Sequence, residues 1–194
     1  MKRISLFVAG LVLIAGGLAG CATMNPFGWT TLVDGTNMDS WNAIGNANWR
    51  VTEGAIQADK GNGFLVSKNS YTDFEIRAEF WVDAAANSGI FIRCADPRKV
   101  TADNAYEVNI FDQRPDPSYG TGAIVNVAKI GNMIKAGGQW NTYEITARGP
   151  VFTVTLNGVR TVDGARDSRL ASGPIALQYA AGVVKFRKLE IRAL

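Results

Sequence analysis

Five side chains between residues 74 and 111 are of types that move protons, hold oxyanions or stack against rings. They are Glu79, Trp81, Arg93, Glu107 and Asn109. A carboxylate can accept a proton, a guanidinium can donate hydrogen bonds to an anion, and an indole offers a flat apolar surface. All five alternate with apolar residues along the chain, which places them on the polar side of the pattern. Such a group of side chains is unusual for a strand face that only contacts water. We therefore treat them as a candidate site.

Three predicted strands carry these residues. In the first, 74–82, apolar side chains alternate with two glutamates, an arginine and a tryptophan, and 90–93 and 106–111 alternate in the same way. A period of two is that of a half-buried strand. If the three strands lie near one another in one sheet, the five residues share the face opposite the core.

The rest of the chain reads as short strands separated by turns. Asn157-Gly158 is its strongest hairpin signal, and Gly122–Val127 is predicted to be a further strand. A shift of the apolar phase between Phe186 and Leu189 indicates a bulge or burial on both faces. Apolar residues never recur at helical spacing for three turns. These patterns predict an all-β sandwich or barrel.

The N-terminus has the pattern of a bacterial lipoprotein signal. Lys2-Arg3 precede an apolar run, and Leu18-Ala19-Gly20-Cys21 follows it. The tetrapeptide resembles a lipobox, which implies a signal peptide over 1–20 and a lipid on Cys21. Residues 21–28 are then a tether and 29–194 the folded domain. An ordinary signal peptide and a single membrane-spanning anchor are the alternatives, although the apolar run is short for a spanning helix.

Composition narrows the possible partners and cofactors. Without Lys2 and Arg3, the 20 basic residues of the full chain become 18, against 17 acidic ones. No basic run remains to suggest nucleic acid, so the membrane contact we expect is the lipid anchor. With Cys21 acylated, Cys94 has no disulfide partner, and the chain contains no histidine. A calcium loop around Asp34 is less favoured than a simple Asp-Gly turn. We expect no cofactor and no metal site.

Seven stretches, in order along the chain, resemble the 3-keto-disaccharide hydrolase family. No single motif is decisive, and the series as a whole carries the resemblance. The stretches are GWTTLVDGTNMDSW at 28–41, YTDFEIRAEF with NSGIFIR at 71–93, YEVNIFD at 106–112, TGAIVNVAKI at 121–130, GQWNTYEITARG at 138–149, LNGV at 156–159 and GPIALQYAAGVVKFRKLEIRAL at 173–194. The resemblance implies a concanavalin A-like lectin/glucanase fold: a two-sheet antiparallel β-sandwich (jelly roll) in which the concave face of one sheet holds sugar.

The resemblance also implies a reaction. In a 3-keto-glycoside the ketone at C3 acidifies the hydrogen on C2, so a base removes it, the C1 substituent leaves and water adds. This route needs one base, one oxyanion stabiliser and help for the leaving group, rather than the two carboxylates of an ordinary glycosidase.

Roles follow for the residues of this chain. Glu107 or Glu79 is the expected base, and Arg93 or Gln178 the expected binder of the enolate or of hydroxyls. Tyr179 or Lys129 would assist as acid. The remaining expected sugar contacts are Trp81, as a stacking ring, with Asn109 and Arg187.

One departure from the family leaves two functions open. Many members read Leu-Gln-Asp-His-Gly where this chain has Leu177 to Ala181, so the family's histidine falls on Ala180. The first hypothesis is a hydrolase cleaving 3-keto-glycosides, anchored in the cell envelope, with Ala22 favouring the outer membrane, facing the periplasm. The alternative is a non-catalytic lectin-like module that binds carbohydrate on the same fold.

Overall fold

The computed structural model describes residues 28–194. The predicted signal peptide, Cys21 and nearly all of the tether lie outside the described residues. Thirteen strands and one short 3-10 turn, Pro117–Tyr119, make up the regular structure. The strands are β1 (Thr30–Val33), β2 (Trp41–Gly45), β3 (Arg50–Thr52), β4 (Ala55–Ala58), β5 (Gly63–Tyr71), β6 (Phe74–Val82), β7 (Ser88–Ile92), β8 (Tyr106–Ile110), β9 (Gln139–Arg148), β10 (Val151–Leu156), β11 (Val159–Arg166), β12 (Gly173–Tyr179) and β13 (Val184–Ala193).

The strands form two antiparallel sheets. The larger has the order β11-β10-β9-β6-β13-β4-β3, with β1 also pairing β13, and the smaller has the order β2-β5-β12-β7-β8. The inner faces of the two sheets share one apolar core, in which Phe80 lies 4.9 Å from Tyr143 and Tyr106 lies 4.4 Å from Phe152, ring centre to ring centre. The predicted two-sheet sandwich is confirmed.

The expectation that the five candidate residues share one face is wrong. Strand β6, with Glu79 and Trp81, belongs to the eight-stranded sheet, whereas β7 and β8 belong to the five-stranded sheet. The connection 83–87 carries the chain across the core from one sheet to the other. There Asp83 accepts hydrogen bonds from the backbone N–H groups of Ala85 and Val183. Alternation reports which side of a strand is buried but not which sheet the strand joins, so the pattern could not reveal this change.

Two local predictions are confirmed and one is wrong. Asn157 and Gly158 both have positive φ, 51° and 78°, and close the hairpin between β10 and β11. The register of β13 on β6 shifts between Phe186 and Lys188, where the apolar phase changes. Residues 122–127 are not a strand but an irregular segment that joins the edge of β8 through an isolated bridge at Ile124. Among residues 28–194, no helix is long and apolar enough to cross a membrane.

Candidate functional site

Glu107 is a buried carboxyl group on the outer face of the five-stranded sheet. Its neighbours in β8, Val108 and Tyr106, belong to the core, so alternation turns Glu107 to the other side. The residue is 7% exposed, and this burial raises the pKa of its carboxyl group to about 7 although the charge of Arg114 opposes the rise. No hydrogen bond from residues 28–194 reaches the carboxyl group. Near neutral pH such a group can take up and release a proton.

Gly89 packs closely against this carboxyl group. A Cβ atom at position 89 would lie 3.2 Å from Glu107 Cγ and 3.3 Å from Phe91 Cε2, so glycine allows both side chains to approach the backbone here. The registers of β12 on β7 and of β7 on β8 place Gln178 and Asn109 on either side of Gly89. A carboxyl group and two amides therefore surround a position without a side chain.

In each amide the oxygen atom has no hydrogen-bond partner among the described residues. Asn109 Nδ2 donates to the carbonyl oxygen of Tyr119 at 2.6 Å, but Asn109 Oδ1 and Gln178 Oε1 are buried and accept no hydrogen bond from the described chain. Leaving a buried acceptor unsatisfied costs about 1–3 kcal/mol. Two such atoms on one face are suited to receive hydroxyl donors from a ligand or from water.

Apolar side chains complete the surface. Phe91 and Phe64 contact edge to face with ring centres 5.3 Å apart. They belong to a small cluster on this outer face that includes Val66 and Ala176 and is separate from the main core. Apolar walls with a few convergent polar groups are the usual composition of a small-molecule site.

Arg114 is a functional candidate that the sequence reasoning missed. It follows β8 in a segment with two prolines, and its charge acts on the carboxyl groups of both Glu107 and Asp116. It makes no hydrogen bond or ion pair to the described residues, so its guanidinium donors are available to a ligand. The sequence could have identified Arg114, because it is the first cationic residue after the strand that carries Glu107.

Arg93, expected to bind an enolate, is instead a structural group. It is 1% exposed, and its side chain makes five hydrogen bonds at 2.6–3.2 Å. The acceptors are the carbonyl oxygens of Thr72, Gly149 and Leu170 and a carboxylate oxygen of Asp73. This set uses all of the guanidinium N–H donors, so none remains for a substrate.

Glu79, Trp81 and Arg187 lie on the opposite surface of the sandwich, on the outer face of the eight-stranded sheet. Arg187 Nε donates to Glu79 Oε2 at 2.6 Å and its guanidinium covers the ring of Trp140 at 4.1 Å. Lys185 Nζ lies 5.6 Å from the ring centre of Trp81. This face is a set of partly exposed ion pairs and cation–π contacts, which contribute little individually.

The two expected acids each have other partners in the structure. Tyr179 points into the core, where its hydroxyl donates to the carbonyl oxygen of Gly182 at 3.0 Å. Lys129 is exposed and lies 3.8 Å from a carboxylate oxygen of Asp116. Ala180 follows Gln178 by two residues, and its N–H bonds to the carbonyl oxygen of Asn87. Of the nine predicted side chains, the structure thus brings together Glu107, Asn109 and Gln178.

Comparison with protein families gives one match across almost the whole described chain. The model of the 3-keto-alpha-glucoside-1,2-lyase-like domain matches residues 28–192. No curated protein matches the sequence significantly.

Several solved structures share the fold. A candidate glycosyl hydrolase from Parabacteroides distasonis is 25% identical with a TM-score of 0.71, and the match covers 86% of this chain and 99% of that one. A second from the same organism is 16% identical with a TM-score of 0.77, over 87% and 94%. The carbohydrate binding module CBM66 of Bacillus subtilis is 19% identical with a TM-score of 0.57, over 84% and 94%.

Proposed function

Because this chain belongs to the family of 3-keto-alpha-glucoside-1,2-lyase-like domains, we propose that it is an enzyme that cleaves 3-keto-glycosides at Glu107. The observation that carries the proposal is a buried carboxyl group with a pKa of about 7 beside two amide oxygens that have no hydrogen-bond partner among residues 28–194. A base whose pKa lies near the working pH combines a useful unprotonated fraction with a useful proton affinity.

In the proposed reaction Glu107 removes the hydrogen on C2 of the sugar. The C2–H electron pair forms the C1–C2 double bond, the C1–O bond breaks, and the leaving oxygen takes a proton from a water molecule and departs as an alcohol. The intermediate is an enone, in which the C1–C2 double bond is conjugated with the C3 carbonyl group. The hydroxide left by that water then adds at C1 and Glu107 returns its proton to C2, which gives the free 3-keto sugar. Loss and return of the proton on one face allow Glu107 to serve both steps.

The neighbouring groups would bind and orient the substrate. Negative charge develops on the C3 oxygen when the proton leaves. The Arg114 guanidinium, which has no ion pair or hydrogen bond within residues 28–194, can stabilise that charge. Asn109 Oδ1 and Gln178 Oε1 would accept hydrogen bonds from sugar hydroxyls. Phe91, which contacts Phe64 and lies beside Gly89, would cover an apolar face of the ring and exclude water from Glu107.

A test of the proposal follows the C2 hydrogen itself. We expect the protein to catalyse exchange of that hydrogen of a 3-keto-glucoside with deuterated water, measured by NMR. The rate should rise about tenfold per pH unit below pH 7 and level off above it, because only the ionised Glu107 accepts a proton. A pH-independent rate over that interval would exclude Glu107 as the base.

A second function is favoured by the absence of histidine. The resemblance places the family's histidine at Ala180, and the chain contains no imidazole. A lectin-like module would bind glycosides saturably but catalyse neither exchange nor cleavage. The exchange assay therefore separates the two functions without requiring full turnover.

We also propose that the protein is a lipoprotein of the cell envelope, on the outer membrane facing the periplasm. The support is the sequence Leu18-Ala19-Gly20-Cys21 after a short apolar run. Replacing Cys21 by serine should leave the precursor unprocessed and unlabelled by a palmitate analogue in cells. Undiminished labelling of that variant would contradict the anchor.

A further inference from the structure

A cleft of about 500 Å³ opens on the outer face of the five-stranded sheet, away from Glu107. Its walls come from β2, β5, the segment after β7 and the beginning of β12. Most of the polar side chains that line it are hydroxyls, an amide and cations: Asn42, Ser67, Lys68, Ser70, Arg98 and Ser172. Apolar residues such as Val66 and Pro174 form the rest of the lining.

Irregular pairing of β5 and β12 produces the cleft. Pro174 pairs with Ser70 while Ala176 pairs with Val66, so β5 has more residues than β12 between the two pairs. Ser67 secures the irregularity, because its hydroxyl accepts from the backbone N–H of Ile175 at 2.9 Å and donates to the carbonyl oxygen of Asn69. These bonds fix the walls of the cleft without a ligand.

The wall formed by the start of β12 and the segment after β7 is also closely packed. A Cβ atom at Gly173 would lie 2.5 Å from the carbonyl oxygen of Cys94, so only glycine allows β12 to approach the segment after β7 this closely. That segment continues to Arg98, which the contact brings to the edge of the cleft. The two cations of the lining are therefore presented by separate, fixed elements.

The charged side chains that line the cleft are both cations. No Asp or Glu is among the described residues that line it, while Lys68 and Arg98 both are. Arg98 is 88% exposed, and within the described part of the chain it pairs only with its near neighbour Asp96, through Nε at 3.3 Å, which leaves its terminal nitrogen atoms available. Lys68 forms no ion pair with the described residues. An anionic group between the two cations would gain charge-assisted hydrogen bonds.

We infer that this cleft binds an acidic saccharide unit, with its carboxylate between Lys68 and Arg98 and its hydroxyls on Ser70, Ser172 and Asn42. The site is distinct from the Glu107 site. Val66 in the cleft and Glu107 lie at the two ends of a cross-strand row, Val66–Ala176–Phe91–Glu107. Three strand spacings separate them, which is about 14 Å. Binding at the cleft does not depend on the proposed chemistry.

Calorimetry on the folded domain with uronate oligosaccharides tests the inference. The probes are tetrasaccharides of glucuronate and of galacturonate, each beside its methyl ester, in which the carboxylate is masked and the rest of the sugar is unchanged. We expect at least one acid to bind about tenfold or more tightly than its ester. The Lys68→Gln/Arg98→Gln double variant should lose that preference. The charge-matched control Lys60→Gln/Arg166→Gln and the variant Glu107→Gln should keep it.

Three results would overturn the inference: no binding of either acid, equal affinity for acid and ester, or equal competition by inorganic phosphate, which would indicate a simple anion site. Both cations are exposed, so we expect the double variant to keep the wild-type melting temperature. If it did not, the comparison of acid with ester on the wild-type protein would still decide the matter. Exchange activity at Glu107 can fail while the cleft still binds uronate, so the two proposals are tested separately.

Discussion

Replacing Glu107 by glutamine should abolish exchange of the C2 hydrogen of a 3-keto-glucoside while changing the affinity for the glycoside only slightly. The amide preserves the size and hydrogen-bonding reach of the side chain but cannot accept the proton. Removing a general base lowers a rate by roughly 10²–10⁴-fold. The loss should fall on the rate of the bound complex rather than on KM, since the ground-state contacts survive.

Two variants serve as controls for this experiment. Glu79→Gln removes a carboxylate from the opposite surface of the sandwich, where it is paired with Arg187. Trp81→Ala removes an aromatic ring from that same surface. Both should leave exchange near the wild-type rate. If Glu79→Gln lost exchange and Glu107→Gln kept it, the site would belong on the eight-stranded sheet.

The same Glu107 variant should be more stable than the wild-type protein at pH 8. Between its ordinary pKa of 4.5 and its raised pKa of about 7, Glu107 holds a proton in the folded state that the unfolded chain has released. The free energy of unfolding therefore falls as pH rises through this interval, by about 3 kcal/mol at most, and the fall is complete above pH 7. Glutamine removes this dependence, which denaturant titrations at pH 5 and pH 8 would measure.

Part of the site could be predicted from the sequence because Glu107 and Asn109 lie on a single strand. The alternation of β8 placed Glu107 and Asn109 opposite the core, and the structure agrees. The arrangement around Gly89 depends on the registers of three strands that are distant in sequence. No pattern within one strand contains that information, so the unpaired amide oxygens were not foreseeable. The assignment of Glu79 to the same face failed for the related reason that the 83–87 connection changes sheets.

Arg93 shows a different limit of the pattern. By alternation, Arg93 should face the same side of the strand as Gly89 and Phe91. However, β7 ends at Ile92, and the backbone of Arg93 has a φ of 54°. This left-handed conformation is uncommon for a residue other than glycine, and it breaks the alternation. The side chain therefore turns away from the face of the sheet, and its guanidinium lies 5.3 Å from the ring centre of Phe152.

Replacing Arg93 by methionine should consequently damage the fold rather than the chemistry. Methionine fills much of the volume but leaves three backbone carbonyl oxygens, of Thr72, Gly149 and Leu170, without the donors they have in the wild-type protein. Removing one side of such a buried charged network costs about 3–5 kcal/mol. For a domain of this size, the melting temperature should fall by roughly 10 °C or more.

Lysine at position 93 should not restore the stability, because a single ammonium group cannot reach acceptors that the planar guanidinium contacts in several directions. Arg98→Met is the matched control: the same change at an exposed arginine should leave the melting temperature within about 2 °C of wild type. Circular dichroism melts and the exchange assay on the same samples distinguish the two roles. A variant at Arg93 with the wild-type melting temperature but without exchange activity would indicate that Arg93 has a catalytic role. We expect the opposite, because all of its donors are bonded to the chain.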